Sequence, residues 1–204
     1  QRRSENGKDW IYQGKHTGAE HGQTGIIVRI FRCVKDIFER VTIMGNMIKV
    51  GMADLKACKC PDALTTLGLG SCVGVALYDP VTKIGGLLHC MLPDSTQFRN
   101  NSNIAKFADT GIDELIRQMK ALGAVDTRIV AKIAGGAQMF ANRSNSEALR
   151  VGERNVIAVK AKLKSLNISI LSQDCGENFG RTVEFYSETG DYVIKAVGKP
   201  LKTI

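Results

Sequence analysis

The 204-residue chain reads as an α+β fold built in layers, and three features point that way. Short runs of β-branched and apolar residues recur along it, only two stretches within the strand-rich region carry a clear helical repeat, and Gly, Pro, Asn or Asp stands at most junctions between them. An apolar share of 44% is enough, at this length, for one sizeable core.

Taken in order, residues 48–55 read as a first strand. Residues 72–78 and 84–92 read as two more, joined by Asp79-Pro80-Val81-Thr82-Lys83, whose Asp and Pro are turn formers. If residues 80–83 are the loop, Asp79 faces Ile84 and Cys72 faces Met91. Ala108, Ile112, Leu115, Ile116 and Met119 then mark one face of a helix that Gly123 stops. Residues 128–134 return to strand, and Gly135-Gly136 makes a tight exit. Val156, Val159, Leu163 and Leu166 mark a second helix ending near Asn167. Strands follow at residues 168–172, Arg181–Tyr186 and 192–197, the last two forming a hairpin across Glu188-Thr189-Gly190.

The region before residue 44 has a different character. Residues 1–25 are polar and glycine-rich and read as disordered. Ile26, Ile27, Ile30, Val34, Ile37, Phe38 and Val41 fit one face of a short helix. Residues 1–43 are therefore expected to be an extension with no part in the core activity, and residues 44–204 the functional domain.

The densest chemistry lies in Thr66-Leu67-Gly68-Leu69-Gly70-Ser71-Cys72 and in His89, seventeen residues further on. A thiol becomes a strong nucleophile when a base takes its proton and backbone amides await the oxyanion of the attacked carbonyl. Gly68 and Gly70 free the loop before Cys72 to aim N–H groups at a reacting oxygen. The hairpin register puts His89 diagonal to Cys72 on the same face, at roughly 7–8 Å between Cα atoms, and a bulge at Gly85-Gly86 would bring them closer. Singly, a cysteine or a histidine in an apolar strand is an ordinary core residue. Same-face placement, a glycine-rich approach and the polar Thr66 and Ser71 nearby together point to a thiol active site.

The stretch TTLGLGSCVGVALYDPVTKIGGLLHCMLPDS, residues 65–95, resembles the signature of the CheD family, chemoreceptor glutamine deamidases of bacterial and archaeal chemotaxis. KFADTGIDELIRQMKALGA (106–124), AKIAGGAQMF (131–140), VGERNV (151–156) and GRTVEFYSETG (180–190) follow in the family's order, so the likeness spans about residues 47–200. It implies a catalytic set of Cys72, His89 and Thr66, with the threonine orienting the histidine. It also implies a layered α/β/β sandwich, shared with the deamidating domain of cytotoxic necrotizing factor toxins. Two positions depart from the pattern. Cys90 follows the histidine where the family varies, and Glu177 stands where glycine is common, which leaves the shape of that loop open.

The activity so implied is amide hydrolysis through a thioester. Cys72, deprotonated by His89, attacks the side-chain carboxamide of a receptor glutamine, ammonia leaves with a proton from His89, and water releases glutamate. Backbone N–H groups around Ser71 and Cys72 are the candidate oxyanion donors. No cofactor is required. The partners implied are the cytoplasmic helices of chemoreceptors, as substrate, and a CheC-type phosphatase. Two other classes compete: a non-enzymatic adaptor that stimulates such a phosphatase, and a thiol peptidase.

Composition narrows the remaining classes. Six cysteines at irregular spacing do not form a secreted disulfide framework, which places the protein in a reducing, cytoplasmic compartment. Cys58-Lys59-Cys60 lacks the second ligand pair of a zinc site, and no apolar run approaches the roughly 20 residues that span a bilayer. The net charge of +8 is scattered, without a nucleic-acid motif, and reads as solvated surface. Gly135-Gly136-Ala137 lacks the Lys-Ser/Thr of a phosphate loop and reads as a turn near the active site. Asp109, Arg154, Asn155 and Arg181 read as structural hydrogen-bonders or substrate contacts.

Overall fold

The computed structural model describes residues 45–99, 102–138 and 150–204, all within one compact unit. The expectations for residues 1–43 lie outside the described residues. In chain order the strands are β1 (Met47–Lys49), β2 (Leu55–Lys59), β3 (Ala63–Leu69), β4 (Val73–Asp79) and β5 (Ile84–Cys90), followed by helix α1 (Ala108–Leu122) and β6 (Val130–Gly135). Helix α2 (Val151–Ser165), β7 (Ile170–Cys175), β8 (Arg181–Tyr186), β9 (Tyr192–Lys195) and β10 (Lys202–Thr203) complete the set.

The described strands form two five-stranded sheets, ordered β1-β3-β8-β9-β10 and β2-β5-β4-β6-β7. Alternation along β4 and β5 sends side chains to two different cores. Val73, Val75, Leu77, Leu88 and Cys90 pack with Ile112, Leu115 and Met119 of α1 and Val159 and Leu163 of α2. Cys72, Ala76 and Leu87 pack with Leu64, Leu69, Val183, Phe185 and Tyr192 of the other sheet. Helices thus cover one face of the central sheet and the second sheet covers the other. The parallel pair β6 and β7 is joined through α2, the crossover that parallel strands require.

The hairpin register is the one the turn chemistry predicts. Asp79 pairs with Ile84 and Val73 with Cys90, so one further step sets Cys72 against Met91. Gly85 and Gly86, however, sit in unbroken pairing on both sides of β5, with no bulge. Their missing side chains serve packing instead. A Cβ on Gly85 would lie 2.1 Å from Phe185 of the second sheet, and one on Gly86 would lie 2.7 Å from Leu115 of α1. One glycine admits each neighbouring layer.

Helix α1 ends as predicted. Gly123 adopts φ 111°, and the N–H groups of Gly123 and Ala124 return to Lys120 O and Met119 O, a Schellman closure. Three expectations need correction. Residues 48–55 are not one strand: Ala53 takes φ 52°, Gly51 N–H donates to the Asp54 carboxylate, and the chain turns from one sheet into the other. Helix α2 begins at Val151, five residues before its first counted apolar position, because the polar Glu153-Arg154-Asn155 turn hides the repeat. The third is β3, which reads as a glycine-rich loop. Leu67 and Gly68 break its alternation at an irregularity in the pairing with β8.

Candidate active site

Three elements bring the site together. Cys72 lies on the bend at residues 70–72 that leads into β4, buried but for 8% of its surface. His89 is the sixth residue of β5 and fully buried. By alternation its side chain shares the inter-sheet face with Leu87, the face that Cys72 also occupies. Directly opposite His89 stands Gly74. A Cβ there would lie 2.6 Å from the Tyr192 hydroxyl oxygen and 2.8 Å from Leu69, so glycine lets the second sheet close down beside the imidazole.

Thr66 comes from that second sheet. Its Oγ1 lies 2.8 Å from His89 Nδ1, a hydrogen bond across the layers between two fully buried residues. His89 Nε2 has no hydrogen-bond partner among the described residues, Cys72 included. Burial pushes the Cys72 thiol above its ordinary range and holds the imidazole below its own. Both groups therefore rest uncharged near neutral pH, as thiol and neutral imidazole. Cys90 is placed differently. It faces the helices, its Sγ donates to Val73 O at 3.4 Å, and burial pushes its thiol up to about 12.

The backbone around Cys72 is held from one side. Gly136 N–H donates to Cys72 O at 2.8 Å and Ala137 N–H to Gly70 O at 2.7 Å. Gly135 and Gly136 take φ 108° and 67°, and a Cβ on Gly135 would lie 2.3 Å from Cys72 O. The tight exit expected after β6 is thus a brace behind the cysteine.

A scan against family profiles matches residues 91–196 to CheD, described as CheD chemotactic sensory transduction. A probable chemoreceptor glutamine deamidase CheD from Lachnoclostridium phytofermentans is 65% identical over 161 residues, 79% of this chain and 100% of that protein. The chain belongs to the CheD family. A probable chemoreceptor glutamine deamidase CheD from Caldanaerobacter subterraneus subsp. tengcongensis is 54% identical over 78% of this chain and 98% of its own length. The chemoreceptor glutamine deamidase CheD of Halalkalibacterium halodurans is 49% identical over 79% and 100%.

Within this CheD chain the other polar residues singled out in the sequence divide by location. Asp109, in the first turn of α1, accepts from Ser95 N and Oγ and ties down the segment after β5. Arg154 is exposed and donates to Gln97 Oε1 at 3.3 Å. Arg181 is buried against Asp174 Oδ1 at 2.7 Å, and its Nη1 donates to Gly176 O and Phe179 O. Glu177, the departure from the CheD pattern, takes φ 61°, a conformation that glycine adopts without strain, and its carbonyl accepts from Gln138 N at 2.7 Å. The loop keeps its turn at the cost of local strain.

Asn155 is the last of these four polar residues. It is fully buried, and its Nδ2 donates to Ser71 O at 2.9 Å, on the bend next to Cys72, and to Met91 O at 2.8 Å, just past the end of β5 and two residues past His89. A groove of about 780 Å³ lies alongside, lined by Gly136, Lys160, Cys175, Glu177 and Phe179 among others, but Cys72, His89 and Thr66 do not line it. Among the described residues no helix is long and apolar enough to cross a membrane, and no group of three or more His, Cys, Asp or Glu could hold a metal ion.

Proposed function

We propose that the chain is a chemoreceptor glutamine deamidase in which Cys72 is the nucleophile, His89 the acid and base, and Thr66 the group that orients the imidazole. The observation that carries the proposal is the 2.8 Å hydrogen bond from Thr66 to His89 Nδ1, made from the opposite sheet beside the face that Cys72 occupies. With Nδ1–H donating to Thr66 Oγ1, the Nε2 lone pair is left free, and Nε2 is the atom that lacks a partner. A buried site that already stacks two sheets is also the layered arrangement we assign to the α/β/β deamidases.

Because thiol and imidazole rest uncharged, the proton moves as the bond forms. Cys72 Sγ attacks the glutamine carboxamide carbon while its proton passes to Nε2, and charge gathers on the carbonyl oxygen, where the Ser71 and Cys72 amides are proposed to receive it. The tetrahedral species collapses with C–N cleavage; ammonia takes the proton from Nε2 and a thioester remains. A water then loses a proton to Nε2, adds to the thioester carbon, and the carbon–sulfur bond breaks as the thiol is reprotonated. The product is glutamate, one negative charge more than the amide. The partners we assign are chemoreceptor cytoplasmic helices as substrate and a CheC-type phosphatase as a coupled protein.

Ammonia release and intact mass of a receptor cytoplasmic fragment test this reading. Each converted glutamine adds about one mass unit, as replacement of an amide by an acid requires. Cys72→Ala is expected to abolish the change, Cys90→Ala to preserve it, and His89→Ala to cost at least the roughly 10²–10⁴-fold typical of general acid–base catalysis. Thr66→Ala should cost less, since it orients and transfers no proton. Conversion retained by Cys72→Ala removes the assignment, as does a Thr66 variant weaker than the His89 variant.

A further inference from the structure

The chain around Cys72 is not extended: residues 70–72 form a bend. In a trans peptide the C=O and the following N–H point in opposite directions, so whatever fixes a carbonyl also aims the amide behind it. Two successive carbonyls here are fixed. Gly70 O accepts from Ala137 N–H at 2.7 Å, and Ser71 O accepts from Asn155 Nδ2 at 2.9 Å. The amides of Ser71 and Cys72 are therefore turned away from the brace formed by residues 135–137 and helix α2.

We propose that Asn155 is a positioning residue for oxyanion binding: by holding Ser71 O and Met91 O it sets the direction of the Cys72 amide and the spacing of the two chain segments that carry the thiol and the imidazole. This rests on the reading of Cys72 as the nucleophile. Both Nδ2 hydrogens are committed to carbonyl oxygens, while Oδ1 has no partner among the described residues. The reversed amide would set its oxygen against two carbonyl oxygens, so the orientation follows from the acceptors. The bond to Met91 O lies one step past the last strand pair, Val73 with Cys90, where the β4–β5 ladder no longer fixes the spacing.

Helix α2 is placed for this task. Gly152, in its first turn, packs so close to the brace that a Cβ would lie 2.5 Å from Gly136 O and 2.6 Å from Ala137 O. That approach brings Asn155, three residues on, within reach of Ser71. Asn155 hydrogen-bonds to neither reacting atom among the described contacts, so its effect is on geometry and not on proton transfer.

The experiment pairs single-turnover deamidation of a receptor fragment with alkylation of Cys72 by iodoacetamide, a reaction of the thiol that forms no oxyanion. Asn155→Asp keeps the shape and removes the donors; Asn155→Ala removes the side chain and keeps the site uncharged. For both, the deamidation rate is expected to fall about 10- to 100-fold, less than outright removal of an oxyanion donor, with KM and the alkylation rate within about threefold of the unsubstituted protein. Deamidation within about threefold of the unsubstituted protein would overturn the proposal. So would alkylation and deamidation falling in step in both variants, the mark of a loop that has simply come apart. If the unsubstituted protein releases no ammonia from receptor fragments, the deamidase reading itself fails, and this inference with it.

Discussion

At the scale of single residues, the site is governed by burial more than by charge. Among the described residues no interaction of His89 favours its protonated form: its partner is a neutral hydroxyl, and burial opposes the imidazolium. Burial opposes the Cys72 thiolate as well. A resting thiolate–imidazolium pair is thus disfavoured on both sides. The consequence is measurable as the pH dependence of Cys72 alkylation. The rate should be low at pH 5–6 and climb through the alkaline range, with its midpoint above the ordinary thiol value of 9.0. The acid limb of kcat/KM should lie below the ordinary imidazole value of 6.5, because the depressed pKa keeps His89 competent as a base to lower pH. An alkylation rate already at its plateau by pH 6 would mean a preformed ion pair and would overturn a proton transfer that accompanies attack.

At the scale of elements, legibility followed local chemistry. The hairpin register was readable because Asp79 and Pro80 define where the turn begins, and a two-residue periodicity then fixes every later pair, including the face shared by Cys72 and His89. Helix α1 was readable from its apolar stripe and Gly123. The strand that carries Thr66 was not, because its pairing with β8 is irregular at Leu67 and Gly68, where the alternation that marks a strand is lost. Thr66 came instead from the family resemblance. Asn155 was visible as a polar residue, but its partners are main-chain carbonyls 84 and 64 residues away, and no local pattern encodes such contacts.

The same hairpin supports a prediction at this scale. Asp79, the fully buried last residue of β4, accepts from Val81 N at the turn, from Val125 N, and from Arg128 Nε and Nη2 at 3.0 and 2.7 Å. The Arg128 guanidinium, first among these, holds its carboxyl far below the usual range. A depressed carboxylate pKa adds stability above the unfolded value of 3.8 that is lost as pH falls below it. Asp79→Asn should lower stability at pH 7 by about 1.5–3 kcal/mol, the range for hydrogen bonds to a charged group, with Arg128 still partly solvated. The deficit should shrink toward pH 3. Activity per folded molecule should not change, since the turn lies at the far end of β4 from Cys72. Urea midpoints at pH 7 and pH 3 measure the first effect; a deficit that does not shrink in acid would show that the carboxylate charge is not its source.

At the scale of the whole molecule, the candidate site exists only when two sheets stack, since Cys72 and His89 belong to one and Thr66 to the other. Its integrity depends on both sheets, not on any one segment. Relatives bear on what the site needs. The protein from Lachnoclostridium phytofermentans is matched over its full length by 161 residues, 79% of this chain. A complete relative therefore corresponds to a part of this sequence, and we propose that residues 1–43 are an extension outside the working unit. Their removal should leave the urea midpoint, the m-value and the deamidation rate near those of the full chain, because 161 residues suffice to match the whole of that relative. The opposite outcome has its own signature. If Ile30, Phe31, Ile37 and Phe38 pack on the domain, deleting them would expose apolar surface worth roughly 1.5–3 kcal/mol for each fully buried side chain, and the midpoint would drop visibly. A truncated protein that is insoluble or clearly less stable would make the extension part of the fold.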